Sequence, residues 1–286
     1  MAKPPAPCEW ITLGEALTAF AANTVKTQSA GHIKPLHWYV ACRLVLEGGF
    51  RPEDITPRPP FVVRRTGKRH LLEHDPALGG SGERAVLGGL KTKNVDVTVC
   101  KECIGPVIAV SLKGTLNAFR NLTNRMEEAV GDCTNLHISY PALVYGFLHV
   151  VRATREDGDV SPNDVAISAD GRVVDAVVRY HDVLARLTGR DDIRAPTTRY
   201  EAVAMPLVDP DPPKLGEIYP DFPPKTSPLG LDRFFATLYD QYDKRFVFAA
   251  PSLAGTTRRL EWAPESPALA DQRAPGLNSR VGLYGD

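Results

Sequence analysis

The stretch Val95-Asp96-Val97-Thr98-Val99, followed across a short turn by Val107-Ile108-Ala109-Val110-Ser111-Leu112-Lys113, decides how this chain is read. Both runs are apolar and read as strands. Side chains alternate faces along a strand, so Ser111 and Lys113 share a face with Ala109, while Val110 and Leu112 point the other way. On the partner strand Asp96 shares a face with Asn94 and Thr98, opposed by Val95, Val97 and Val99. A turn near Glu102 to Gly105 sets Asp96 roughly opposite Ser111 in antiparallel pairing and makes Asp96 and Lys113 neighbours at one sheet edge. A carboxylate there can hold Mg²⁺, which prefers hard oxygen ligands, and an ammonium beside it can position or deprotonate a water. The same pair also reads as an ordinary cross-strand ion pair on an amphipathic hairpin.

The residues after the lysine, Thr115 to Val130, form a helix-compatible stretch that carries Arg120, Arg125, Glu127 and Glu128. From Asn94 to Val151 the chain resembles restriction endonucleases of the PD-(D/E)XK class. It looks most like the branch in which serine replaces the acid two before the lysine and a glutamate on the next helix supplies the missing carboxylate. Ser111-Leu112-Lys113 matches that serine variant, Asp96 matches the first acid, and Glu127, with thirteen residues between it and Lys113, matches the displaced glutamate. Asn94-Val95 stands where a proline usually precedes the aspartate, and the aspartate-to-lysine interval is shorter than in the best-known enzymes of the branch. Glu128 takes the role of Glu127 if the register shifts by one, and both glutamates also read as a solvated helix face.

The resemblance implies an α/β restriction-endonuclease-like core, a mixed central β-sheet flanked by helices, over roughly Pro35 to Asp209. It implies Mg²⁺-dependent, sequence-specific cleavage of double-stranded DNA, with Asp96 and Glu127 as metal ligands and Lys113 orienting and deprotonating the attacking water. Ser111 would hydrogen-bond Asp96 or a metal-bound water. A homodimer would match a short palindromic site. Arg120 and Arg125 are close enough in sequence to touch phosphate or read guanine. The alternatives are a nuclease of the same class acting in repair or on modified DNA, and a DNA-binding module without catalysis.

The rest of the chain extends this pattern. Tyr140 to Val151 reads as a buried central strand, Val173 to Leu187 as a helix and Glu201 to Val208 as a further strand. The order strand, strand, helix, strand, helix, strand predicts a mixed sheet with helices on its faces. Upstream, His37 to Glu47 reads as an amphipathic helix stopped by Gly48-Gly49. Nucleases of this class often carry a glutamate on their first core helix, so the resemblance implies Glu47 beside the metal. Its place at a helix C-terminus is electrostatically unfavourable, which calls for a metal or an arginine as partner, and it also reads as a plain exposed carboxylate. Arg64-Arg65-Thr66-Gly67-Lys68-Arg69-His70 is a basic cluster in which Arg64 and Arg65 are candidate phosphate contacts, or simply part of a solvated loop.

Composition sets limits. The 286 residues can bury a large core in one elaborated domain or two small ones. We expect the endonuclease-like domain over 1–209, then over 210–286 a proline-rich connection, a helix from Leu231 to Tyr242 and a partly disordered tail from Pro264. With 34 basic and 34 acidic residues the formal charge is zero. Proteins that coat nucleic acid without specificity are basic, so any DNA contact must come from a local positive cleft. No apolar stretch is long enough to span a bilayer, and Met1-Ala2-Lys3-Pro4-Pro5 lacks the apolar core of a signal peptide, which predicts a cytoplasmic protein. Five cysteines, an odd number without an export signal, argue against a disulfide framework. Cys100, Cys103, Cys133 and His137 could form a Cys₃His zinc set, or the cysteines could simply be free and buried.

Overall fold

The hairpin that carries Asp96 and Lys113 forms the middle of the main sheet. The structure is a computed structural model that describes residues 5–23, 30–117, 119–274 and 280. In chain order its elements are α1 (Leu13–Ala21), α2 (Lys34–Leu46), β1 (Ile55–Thr56), β2 (Phe61–Thr66), β3 (Arg69–His74), β4 (Arg84–Leu87) and β5 (Thr92–Val95). They continue with β6 (Val97–Lys101), β7 (Gly105–Thr115), α3 (Leu122–Ser139), β8 (Val144–Arg152), α4 (Asp175–Arg186), β9 (Ala202–Ala204), β10 (Leu207–Val208) and α5 (Leu231–Tyr242). The main sheet runs β1-β6-β7-β8, with β9 and β10 on the far edge of β8. β6 and β7 are antiparallel, whereas β7 with β8, and β8 with β9 and β10, are parallel. The sheet is therefore mixed, with helices on both faces, as expected.

Each parallel pair needs a crossover, and α3 and α4 supply them. Met126, Ala129, Cys133 and Leu136 make the buried stripe of α3. They pack with Ala109, Tyr145, Phe147, Val151 and Val203 from one face of the sheet. Val97, Val99, Val110, Leu112, Leu148 and Val150 face the other way, toward α1, α2 and α5. The alternation read from the hairpin thus sorts Ala109 from Val110 and Leu112 onto opposite cores. β9 and β10 keep one register against β8, 202 against 146 and 207 against 151. Pro206, which has no amide hydrogen, sits in the break between them.

Two elements differ from expectation. α2 is buried on nearly all sides, with Leu36, Val40, Ala41, Leu44 and Val45 at 0 % exposure, so it is an enclosed helix and not an amphipathic one. α1, α5 and the buried Trp262, whose indole N–H donates to the Val45 carbonyl at 3.0 Å, all close on it. It ends as expected: Gly49 at φ 68° takes the left-handed conformation of a helix stop. The helix expected from Thr115 begins only at Leu122, because β7 runs on to Thr115 beside β8.

The carboxyl-terminal part packs on the same body. Phe234 of α5 lies so close to β8 that a Cβ on Gly146 would come within 2.8 Å of its ring. From Pro264 to Ala274 the chain packs on β3, where the Ser266 hydroxyl accepts the Leu72 amide at 3.1 Å. The end of the expected disordered tail lies outside the described residues. Among the described residues no helix is long and apolar enough to cross a membrane.

Candidate functional site

Val97 pairs with Val110, so one more step of antiparallel register would set Asp96 against Ser111, as the sequence predicts. The ladder stops there. The chain bends at Asp96, and the residues before it leave the main sheet as β5, which pairs with β4 in a hairpin of its own. β7 therefore loses its antiparallel neighbour just where Lys113 lies, and the Leu112 amide, left without a strand partner, donates to Asp96 Oδ2 at 2.7 Å. This splaying of two strands leaves Asp96 fixed at the open end of the sheet, with its carboxyl partly buried.

Lys113 points from β7 toward α3, and its Nζ donates to Glu128 Oε1 at 2.9 Å. Burial pushes the Glu128 carboxyl up, but the Lys113 ammonium overrides it and holds the group below its ordinary range. Asp132, one turn further along α3, is paired with Lys93 of β5. A small cavity below this layer is lined by Ser111, Lys113, Arg125, Glu128, Asp132 and His149. His149 stands beside Lys113 in the parallel ladder, bonded through Nε2 to the Thr115 hydroxyl at 2.8 Å. Burial pushes its pKa down to about 3, so it is neutral.

On the face of the sheet opposite α3, the first turn of α2 presents His37. Its Nε2 lies 3.8 Å from Asp96 Oδ1, and Glu83, just ahead of β4, completes a group whose ligand atoms all lie within 4.8 Å of one another. Burial pushes His37 down to about 4; Glu83 opposes the shift, whereas Lys34, His32 and Lys113 add to it. Asp96 is raised, chiefly by burial, with the Leu112 amide and Lys113 acting against that. One imidazole and two carboxylates are a donor set that fits a divalent cation.

The expected site residues fall into two groups. Ser111, Lys113 and Arg125 line one small cavity, and Asp96 stands at the neighbouring sheet end, near enough for the Lys113 ammonium to act on its carboxyl. The Ser111 hydroxyl, however, is engaged by the Tyr145 hydroxyl at 2.7 Å and not by Asp96, because it faces inward toward α3. Glu127 is not brought to either place. One residue is about 100° of helix turn, which turns Glu127 away from Glu128 into a groove between α3 and α4 lined by Leu122, Met126, Val130, Val183 and Leu187. Glu47 is ten residues along α2 from His37, about 15 Å, and its partner is an arginine, Arg43, at 2.8 Å.

Arg64 pairs with Glu73 at 2.7 Å and Arg65 donates to the Gly67 carbonyl, both in the separate β2–β3 hairpin. The side chain of Arg120 lies outside the described residues. The zinc set does not assemble. Cys103 is exposed at the hairpin tip, while Cys133 is buried and its Sγ lies 3.5 Å from Nδ1 of His137, which faces the Thr197 carbonyl.

His37, Glu83, Asp132 and His149 are the residues that sequence reasoning missed. His149 had a signal, a polar residue in the middle of an otherwise buried apolar strand. His37 and Glu83 had none, because their meeting with Asp96 depends on how α2 and β4 dock. The chain matches no family model, no curated protein and no solved structure.

Proposed function

We propose that the chain is a metal-dependent endonuclease that hydrolyses phosphodiester bonds in double-stranded DNA, in the manner of a restriction-endonuclease-like core. The observation that carries the reading is the splayed end of the β6–β7 hairpin, where Asp96 lies near enough for the Lys113 ammonium to act on its carboxyl and Glu128 of a crossover helix pairs with that ammonium. Asp96 is the central metal ligand, with His37 and Glu83 as the nearest further donors. A divalent ion held by them supplies positive charge to polarise the scissile phosphate, and Mg²⁺ is the first ion to test. The Lys113 ammonium orients the attacking water and stabilises the charge that develops on the phosphate, while the water's proton passes to solvent. Glu128, not Glu127, is the α3 carboxylate beside Lys113, and it holds the ammonium in place and is not among the metal donors. Arg125 contributes positive charge below the same surface. Double-strand cleavage at a palindrome calls for a homodimer.

The test is direct. Plasmid and phage DNA incubated with the protein and Mg²⁺ or Mn²⁺ should give discrete fragments with mappable ends, and a chelator should abolish them. Failure to cut DNA of varied sequence and methylation with either ion would refute the proposal.

A further inference from the structure

We infer that His37, Asp96 and Glu83 form a mixed nitrogen and oxygen site that prefers a divalent transition-metal ion such as Mn²⁺ or Co²⁺ over Mg²⁺. The inference deepens the nuclease reading and rests on it only for its consequence in cleavage. Three observations carry it. His37 is 3 % exposed, and its Nε2 is a buried nitrogen without a hydrogen-bond partner. Buried polar atoms are nearly always satisfied, so an orphan aimed at two carboxylates marks a place for a ligand.

The second observation is the spacing. Nε2 and Asp96 Oδ1 are 3.8 Å apart, too far for the hydrogen bond of about 2.7–3.2 Å that a shared proton would draw them into. Two ligands each about 2.1 Å from one ion stand about 3–4 Å apart, depending on the angle between them. The third is the fixed framework. Asp96 Oδ2 is already held by the Leu112 amide, which leaves Oδ1 directed at His37, while the exposed Glu83 already brings a carboxylate oxygen within 4.8 Å of both.

The donor chemistry then selects the ion. Mg²⁺ takes oxygen ligands and keeps much of its water, whereas an imidazole nitrogen favours later first-row ions. The inner-sphere role of His37 also explains why neither Glu47 nor Glu127 is needed to complete the site: α2 delivers an imidazole from its first turn where a carboxylate was expected from its end.

The experiment is a Mn²⁺ titration of the full chain without DNA, followed by the electron paramagnetic resonance of free Mn²⁺, with Mg²⁺ in competition. One Mn²⁺ per chain is expected, bound at least about ten-fold more tightly than Mg²⁺, with ¹⁴N coupling from one imidazole in the pulsed spectrum. His37→Gln should weaken Mn²⁺ by about ten-fold or more and abolish the ¹⁴N coupling. Glu83→Gln, at an exposed position that does not endanger folding, should weaken it as well, and Glu127→Gln should leave it unchanged. Absence of Mn²⁺ binding, absence of ¹⁴N coupling, or wild-type affinity in the Glu83→Gln chain would overturn the assignment. DNA cleavage by a protein lacking this Mn²⁺ site would overturn the inference and leave the nuclease standing; tight, His37-dependent Mn²⁺ binding without any cleavage would do the reverse.

Discussion

Asp96→Asn should make the metal-free protein more stable while removing its affinity for the ion. In the wild type Asp96 Oδ2 accepts the Leu112 amide at 2.7 Å, and Oδ1 faces the unpartnered His37 Nε2 at 3.8 Å. With Nε2 carrying the lone pair, two acceptors oppose each other across a partly buried gap. An asparagine keeps the Leu112 bond through its carbonyl and turns its amide toward Nε2, where a closure to about 3 Å makes a hydrogen bond. Satisfying a buried acceptor is worth about 1–3 kcal/mol. After the adjustment of the loop, a net gain of about 1–2 kcal/mol is expected, a rise in Tm of about 2–8 °C for a chain of this size. The assay is urea unfolding followed by circular dichroism, in EDTA and in Mn²⁺. At an ion concentration about 100 times its Kd the wild type gains about 2.7 kcal/mol and the variant gains none, so the order of stability reverses. Burial raises the Asp96 pKa, so the advantage of the variant in EDTA shrinks in acid, where the wild-type carboxyl takes up a proton and becomes a donor itself. A variant less stable than the wild type in EDTA, or one that gains as much from Mn²⁺, would refute the reasoning.

Further outcomes follow from the same geometry. Glu128→Ala should lower kcat/KM for DNA cleavage by about 10–100-fold by releasing Lys113, whereas Glu127→Ala should stay within about two-fold of wild type, both read by plasmid cleavage rates. Glu201 is fully buried, accepts from Arg190, Arg245 and the Tyr145 amide at 2.7 Å each, and ties the start of β8 to β9. Glu201→Gln should therefore destabilise the fold by about 3–5 kcal/mol in denaturant unfolding, because the guanidiniums lose their counter-charge. His149 has a folded pKa of about 3 against an ordinary 6.5, so the unfolded chain takes up its proton first. Stability is intact above that ordinary value and falls by about 1.4 kcal/mol per pH unit for this group as pH drops toward 3; His149→Gln should flatten the acid limb of the stability curve.

The fold was legible where one face of a strand had to be buried. The alternation from Ala109 to Lys113 sorts Ser111 and Lys113 to the α3 side and Val110 and Leu112 to the other, and the order of strands and helices sets the mixed sheet. The candidate site was legible only where it lay along one hairpin: the placing of Asp96 near Lys113 came from local register. The choice between Glu127 and Glu128 depended on where α3 begins, which the extension of β7 to Thr115 decides. Glu47 failed for a comparable reason. Arg43, four residues away on the same helix, stacks over Phe235 at 3.9 Å and claims the carboxylate, a pairing that exists only once α5 has docked. His37 and Glu83 reach Asp96 through tertiary packing alone, so no spacing in the sequence announces them.

Single-turnover cleavage of plasmid DNA by the wild type and by Lys113→Ala, with DNA binding measured in parallel, tests most directly whether Asp96 and Lys113 form a hydrolytic centre. The wild type should give discrete, chelator-sensitive cuts, and Lys113→Ala should lose at least about 100-fold in rate with DNA binding retained. Cleavage at the wild-type rate by Lys113→Ala, or no cleavage by the wild type with either Mg²⁺ or Mn²⁺, would contradict that assignment.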